Sequence, residues 1–277
     1  MFGVALELKI SHFQQVLKTP VPIITGLISQ FLLLPAVTYI LIIIFNPSPS
    51  VAMGMIMVAA CPGGNVSNFF SMMSRGNVAL SVSITAISTL LCFLMTPFTL
   101  SFWGGMYSPT QELLKGVNLD FLALMVTIFT VLIIPLVLGM LVSAKKAPLA
   151  ECIKSPIRKL SLLIFAAFVI GALAANRENF INYVGAVVGL VALHNAMALL
   201  TGYFTASVVK LPLPDRRSIS IEIGIQNSGL GLVLIFDFFN GLGGMAIVAA
   251  WWGVWHLISG MLLSFYWSKK KTPIISA

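Results

Sequence analysis

An acidic, amide-rich stretch, Ile221–Gly231 (IEIGIQNSGLG), interrupts an apolar segment that is long enough to cross a membrane. It carries Glu222, and an acidic side chain at membrane depth costs about 2.5–3.5 kcal/mol on insertion scales, so such residues are usually functional and partnered. Glycines beside clustered amides predict a broken helix whose free backbone groups line a cavity. We expect the break near Gly229.

An earlier stretch, Cys61–Asn68 (CPGGNVSN), has the same character. A Pro-Gly-Gly sequence breaks the apolar segment, and short side chains that carry oxygen follow it. Two broken helices, one in each half of an apolar chain, are typical of the ion and substrate site of a secondary transporter. The sequence therefore predicts a transport site where the two breaks meet.

The composition excludes a soluble protein. Of 277 residues, 58% are hydrophobic and 9% are charged, and the mean hydropathy is +1.01; a soluble domain has about 25% charged residues. The net charge of +8 does not indicate nucleic-acid binding, because the basic residues lie between apolar segments. The three cysteines are isolated, so we expect small apolar core residues rather than disulfides or metal ligands.

Apolar segments near or above the roughly 20 residues that a helix needs to cross a bilayer recur along the chain. We predict an all-α polytopic membrane protein with eight full spans and an N-terminal remnant, Met1–Leu8. Prolines at 35, 97 and 135 should kink their helices rather than end them. The predicted spans are Val21–Phe45, Val51–Ser74, Val78–Trp103, Leu119–Ser143, Ile157–Ala175, Ile181–Val209, Ser218–Asn240 and Met245–Trp267.

The basic residues predict the orientation. If the loop after the remnant is cytoplasmic and the spans alternate, 14 of the 16 Lys and Arg lie inside, and only Lys115 and Arg177 lie outside. The C-terminus is then cytoplasmic.

Both halves contain a broken helix followed by a long helix, and the two broken helices run in opposite directions, which predicts inverted repeats. The second half has two more helices, 119–143 and 157–175, before this pattern. By symmetry, we expect the N-terminus to lack one helix and most of another.

Hydroxyl and amide side chains near the first break are candidate ion ligands. Ser81 and Thr85 are four residues apart and share a helix face. With Ser67, Asn68 and the charge of Glu222, they form an oxygen-only set that suits a hard cation such as sodium. Alternatively, the hydroxyls hydrogen-bond only to carbonyls of their own helices.

Two long segments closely resemble the bile acid:sodium symporter family, particularly its bacterial members. They are CPGGNVSNFFSMMSRGNVALSVSITAISTL (61–90) and IEIGIQNSGLGL (221–232). Two shorter segments, LHN (193–195) and VWHLISG (254–260), also resemble this family. The resemblance implies a sodium-coupled importer of organic anions, in which a core with two crossing broken helices moves against a panel. The core would comprise residues 21–103 and 181–268, and the panel residues 1–10 and 117–177.

The resemblance also implies two sodium sites, with Na⁺ as a transported ion, and an anion site at the half-helix N-termini, which offer partial positive charge. The first sodium site would comprise Ser67, Asn68, Ser81, Thr85 and Glu222. The second would comprise Gln30, Glu222, Gln226 and the carbonyls of Ile223 and Ile225. The anion would lie against Asn65, Val66, Asn227 and Ser228, with His256 across the cavity. Alternatively, His256 makes a hydrogen bond between helices and does not contact the substrate.

The expected substrate is a bile-acid-like compound or a small carboxylate, and the expected setting is the bilayer of a bacterial plasma membrane. We do not expect an enzyme, because no motif pairs a nucleophile with a base. Three alternatives remain open at this point: a proton-coupled carrier in which Glu222 cycles a proton, a short form of the family that does not transport, and, least favoured, an intramembrane enzyme that uses Cys61, Ser67 or His194.

Overall fold

The computed structural model describes residues 2–6, 20–117, 120–175 and 177–270. Within these ranges the chain is helical, and no strand forms beyond an isolated bridge between Gly63 and Gln226. The predicted all-α class is thus confirmed. Of the predicted remnant, residues 1, 7 and 8 lie outside the described residues, as does nearly all of the loop that follows it.

Helices in the first part of the described chain are α1 (Phe2–Ala5), α2 (Pro20–Phe45), α3 (Pro49–Ala60), α4 (Val66–Met73), α5 (Val78–Met106) and α6 (Ser108–Val117). Those in the second part are α7 (Phe121–Lys145), α8 (Ala147–Ala175), α9 (Arg177–Val208), α10 (Leu213–Gly224), α11 (Ser228–Phe238) and α12 (Gly243–Lys269). Helix α6 was not predicted.

Both predicted breaks are present, but the second lies earlier than expected. Helix α10 ends at Gly224 and α11 begins at Ser228, so Gly229 lies inside the first turn of α11. The side chain of Asn227 accepts a hydrogen bond from the backbone N–H of Leu230 at 3.1 Å. This N-cap restarts the helix before Gly229.

Two of the predicted prolines follow π-helical turns. Residues Ser29–Leu33 precede Pro35, and Phe129–Ile133 precede Pro135. Proline has no backbone N–H to donate, and a local π turn shifts the hydrogen-bond register so that the helix continues. As predicted, neither proline ends its helix. Helix α8 begins at Ala147, ten residues earlier than the predicted start of the span at Ile157, and it contains Pro156.

Five of the described helices are long and apolar enough to cross a membrane. They are Pro20–Phe45, Val78–Met106, Phe121–Lys145, Val187–Val208 and Gly243–Lys269. The chain is therefore an integral, multi-pass membrane protein. The count of eight spans stays a prediction, since it also requires the two broken helices and α8.

Helix α3 is the centre of the molecule. Its residues from Val51 to Ala60 are all buried, and a helix that is apolar on every side belongs in a protein interior. It packs against α5 and α12, and Cys61 and Cys92 are buried in the same core, as predicted. Cys152, at the start of α8, is exposed, so the expectation of a core position was wrong for that cysteine.

Candidate ion and substrate site

The two breaks hydrogen-bond directly to each other. Gly63 and Gln226 form an antiparallel bridge. The backbone N–H of Gly64 donates to the carbonyl of Ile225 at 2.6 Å, and the N–H of Asn227 donates to the carbonyl of Pro62 at 2.9 Å. Two extended segments at membrane depth thus satisfy each other's backbone groups, as non-helical backbone inside a bilayer requires.

Glu222 lies in the last turn of α10 and is fully buried. Three hydroxyls donate to its carboxylate. Ser67 donates to Oε2 at 2.6 Å, Ser81 donates to Oε2 at 3.0 Å, and Thr85 donates to Oε1 at 2.6 Å. No basic side chain lies within 4.0 Å of this carboxylate among the described residues. The negative charge is therefore held by hydroxyl dipoles alone.

The local structure explains why these hydroxyls converge. Ser67 lies in the first turn of α4, directly after the first break. Ser81 and Thr85 lie one turn apart on α5, on the face toward α4 and α10. Thr85 Oγ1 is also 3.0 Å from the carbonyl of Ser81, which is the alternative of a hydrogen bond within its own helix. The distance to Glu222 is shorter, so the geometry favours donation to the carboxylate.

Asn68 lies at the edge of this cluster. Its Oδ1 is 3.4 Å from Thr85 Oγ1, and the residue is partly exposed. The structure thus brings together all five residues that the sequence analysis assigned to the first site. Their ligand atoms are all oxygens, and oxygen-only sets suit hard cations. Among the described residues, no group of three or more His, Cys, Asp and Glu offers a site for a transition metal.

A pair of amides lies on the other side of the crossing. Gln30 and Gln226 exchange hydrogen bonds, each Nε2 donating to the partner Oε1 at 3.0 Å. Gln30 Nε2 also donates to the carbonyl of Cys61 at 2.8 Å, and Gln226 Nε2 donates to the carbonyl of Ile223 at 2.6 Å. Gln30 therefore connects α2 to both breaks, and it lies in the π-helical turn of that helix. Such turns occur frequently at functional sites.

The residues assigned to the second sodium site are only partly assembled as ligands. The Ile225 carbonyl accepts from Gly64, and the Ile223 carbonyl accepts from Gln226. Within the described chain, no hydrogen bond joins Glu222 to either glutamine. In this conformation the amides are satisfied by each other and by backbone carbonyls.

Four of the five residues assigned to the anion are at the beginnings of α4 and α11. Asn65 precedes α4, and its buried Oδ1 has no partner in the described chain. Val66 is 38% exposed, Asn227 caps α11, and Ser228 is buried. His256 is also buried, and its Nδ1 has no partner among the described residues; no hydrogen bond joins it to the other four.

Two further residues hold the ends of the half-helices, and the sequence analysis did not assign them to the site. Thr96 donates to the carbonyl of Ala60 at 2.6 Å, and Asn195 donates to the carbonyl of Gly224 at 2.7 Å. These are carbonyls that a helix end leaves without an intrahelical partner. The available signal in the sequence was a polar side chain in an apolar span. Many other polar side chains lie in apolar spans, and most of the hydroxyls among them donate within their own helix. This signal therefore does not distinguish Thr96 and Asn195 from the others.

Comparison with known proteins identifies relatives of this chain. The Sodium Bile acid symporter family matches residues 1–183. An uncharacterized sodium-dependent transporter, YocS, of Bacillus subtilis is 32% identical over 271 residues, covering 98% of this chain and 81% of the relative. Probable sodium/metabolite cotransporters BASS1, chloroplastic, of Arabidopsis thaliana and of Oryza sativa are each 30% identical. The alignments cover 65% and 63% of these two plant proteins, so this chain spans less than two thirds of their length.

Proposed function

This chain belongs to the sodium bile acid symporter family, and on that basis we propose that it imports an organic anion together with sodium by alternating access. The observation that carries the proposal is the carboxylate of Glu222, fully buried and held by the hydroxyls of Ser67, Ser81 and Thr85. A buried charge without a counter-ion is costly. A sodium ion among these oxygens and Asn68 supplies that counter-ion.

The second sodium ion binds at the amide pair. Gln30 and Gln226 already lie at 3.0 Å from each other, and the carbonyls of Ile223 and Ile225 are beside them. Binding requires the two amides to turn their oxygens toward a shared ion and Glu222 to turn toward it. The ion would then replace the amide–amide hydrogen bonds.

The anion binds where the half-helices begin. Backbone N–H groups at a helix N-terminus and the partial positive charge there attract anions. Asn65, Val66, Asn227 and Ser228 surround these N-termini. The Nδ1 of His256, which has no partner among the described residues, donates to the anion when it carries the ring proton. The substrate is a bile-acid-like compound or a small carboxylate.

Alternating access comes from movement of the core, residues 21–103 and 181–268, against the panel, residues 1–10 and 117–177. The hydrogen bond from Ser143 to the carbonyl of Leu6, at 3.1 Å, supports placing the N-terminal residues with the panel. We further propose eight spans in inverted repeats, with the C-terminus in the cytoplasm of a bacterial cell. Sodium at Glu222 ties α4, α5 and α10 together before the core moves.

Two sodium ions with one monovalent anion move one net positive charge inward. Each 100 mV, negative inside, then adds about 2.3 kcal/mol to the driving force for uptake. Transport of a monovalent anion should therefore produce an inward current. Electroneutral uptake would contradict this stoichiometry.

Thermal unfolding of the purified protein in sodium against equimolar potassium tests the proposal. A ligand present at 100 times its dissociation constant stabilises a folded protein by about 2.7 kcal/mol. We expect a sodium-specific shift that Glu222→Gln removes, while Glu112→Gln, which changes an exposed acid in α6, keeps it. A folded protein without any sodium response, but with uptake driven by a pH gradient, would instead support the proton-coupled alternative.

A further inference from the structure

A row of polar side chains leads from Glu222 toward the beginning of α10. Asp215 and Glu222 are seven residues apart on this helix, which places them on one face and roughly 10 Å apart along the axis. Ser218 lies between them on the same face. On α5 the corresponding row is Asn77, Ser81 and Thr85, spaced one turn apart.

Hydrogen bonds connect the two rows at successive levels. Ser81 donates to Glu222 at 3.0 Å, and Ser71 of α4 donates to Ser81 at 3.2 Å. One level further, Ser218 donates to the carbonyl of Asn77 at 2.9 Å. At the last level, the Asn77 amide donates to Asp215 Oδ1 at 2.8 Å. Side-chain and backbone oxygens are thus present at each successive helical turn between the carboxylate of Glu222 and that of Asp215.

Gly76 allows the loop after α4 to pack closely against α10, beside these hydrogen bonds. A Cβ there would lie 2.5 Å from Ser218 Oγ and 3.0 Å from the carbonyl of Ser71. Any side chain would therefore displace the polar groups between Glu222 and Asp215. The loop after α4 can approach α10 this closely only because residue 76 has no side chain.

The row ends at a cavity. This cavity has a volume of about 60 Å³, and Asn77, Ser83 and Asp215 form its polar wall. A space of roughly 10–15 Å³ holds one water molecule, so a cation with part of its hydration shell can be accommodated. Apolar residues of α2 and α5 form the remainder of the wall.

Asp215 is 8% exposed, and an aspartate this buried normally has a cationic partner. Here its side-chain hydrogen bond comes from the neutral amide of Asn77, and no Lys, Arg or His lies within 4.0 Å of it in the described ranges. Arg217, two residues further, faces another side of α10 and donates to the carbonyl of Ser74 at 2.8 Å. A carboxylate at a cavity wall attracts cations when its described surroundings hold no basic side chain.

We propose that Asp215, with Asn77, is the relay through which the coupled sodium passes between Glu222 and the cytoplasm. The proposal rests on the sodium-coupled function and on the topology that places the beginning of α10 at the cytoplasmic side. Asp215 contacts the ion in transit and is not part of the resting site. It therefore lowers the barrier to sodium entry and exit without changing the affinity of the site.

Sodium itself is the probe. Purified full-length protein equilibrated with sodium is mixed rapidly with a sodium-selective cryptand, and release is followed by intrinsic tryptophan fluorescence. We expect Asp215→Asn, which keeps the hydrogen bond from Asn77, to slow release and rebinding alike by about tenfold. The sodium concentration that gives half-maximal thermal stabilisation should stay within about twofold of the original value.

Two controls separate the charge from the fold. Glu151→Gln removes an exposed acid at the beginning of α8 and should leave the rates unchanged. Asp215→Glu retains the charge and should restore fast release. If Asp215→Asn does not fold, Ser83→Ala removes a polar group from the cavity wall and should slow release in the same direction.

Unchanged rates in a folded Asp215→Asn or Ser83→Ala variant would overturn the relay, and so would a large loss of sodium affinity, which would make Asp215 part of the site. A wild-type protein that shows no sodium response would overturn the sodium-coupled function itself. That result is distinguishable, because it appears before any substitution is made.

Discussion

Gly63 packs directly against the side chain of Glu222, and a Cβ at position 63 would lie 2.9 Å from the carboxylate carbon, Cδ, and closer still to Oε1. The glycine that breaks the first helix is thus also the residue that makes room for the acid of the second. The same residue forms the backbone bridge to Gln226. One position therefore determines both how closely the breaks approach and where the carboxylate lies.

Gly63→Ala should remove the sodium-dependent stabilisation, because the added methyl group displaces the Glu222 carboxylate from its three hydroxyls. Thermal unfolding in sodium and in potassium measures the effect. The matched control is Gly105→Ala in α5, where an added Cβ meets nothing within 4 Å. A sodium shift of normal size in Gly63→Ala would mean that the carboxylate position does not matter for ion binding.

Thr85→Val should raise the half-saturating sodium concentration by about tenfold, which corresponds to about 1.4 kcal/mol. The substitution keeps the shape of the side chain but removes the hydroxyl that donates to Glu222 at 2.6 Å. Sodium titration followed by thermal unfolding measures the change.

Thr99→Val, on the same helix, is the control for this prediction. Thr99 Oγ1 is buried without a partner in the described part of the chain, so its removal should leave sodium affinity unchanged and stability unchanged or higher. Equal effects of the two substitutions would argue against a ligand role for Thr85.

Gln30 and Gln226 should be energetically coupled. Each single change to Leu leaves the partner amide buried with an unsatisfied group, whereas the double change removes both amides. A double-mutant cycle on the free energy of unfolding in potassium should therefore give a coupling of about 0.5–3 kcal/mol. Additive effects would show that the two hydrogen bonds at 3.0 Å contribute no mutual stability.

Asn195→Leu should lower the free energy of unfolding by about 1–3 kcal/mol, because the terminal carbonyl of α10 at Gly224 loses its donor at membrane depth and the Ser259 hydroxyl loses an acceptor. Thr201→Val on the same helix is the control, since in the described part of the chain Thr201 donates to the carbonyl of Met197 within α9 and to no other residue. Denaturation of the two variants in the same detergent measures the difference. Comparable stabilities would mean that another group replaces Asn195.

Much of the site could be predicted from the sequence, because the cost of a polar group in an apolar segment is a local property. Glu222 stands out for this reason, and it makes the serines and threonines near the first break candidate ligands. Gln30 was assigned through the resemblance to the symporter family. The position of the second break was predicted less well. Three glycines suggested Gly229, but the cap formed by Asn227 restarts the helix at Ser228.

By itself, the sequence determined that the chain is a helical membrane protein with two interrupted helices and an acid at membrane depth. Apolar length, glycine and proline content, and charge distribution are all readable along the chain. Only the tertiary structure decided which atoms meet. Ser67 and Glu222 are 155 residues apart and come within 2.6 Å because the two breaks pair through their backbones. Such a contact depends on packing between helices, and local sequence preferences carry no information about it.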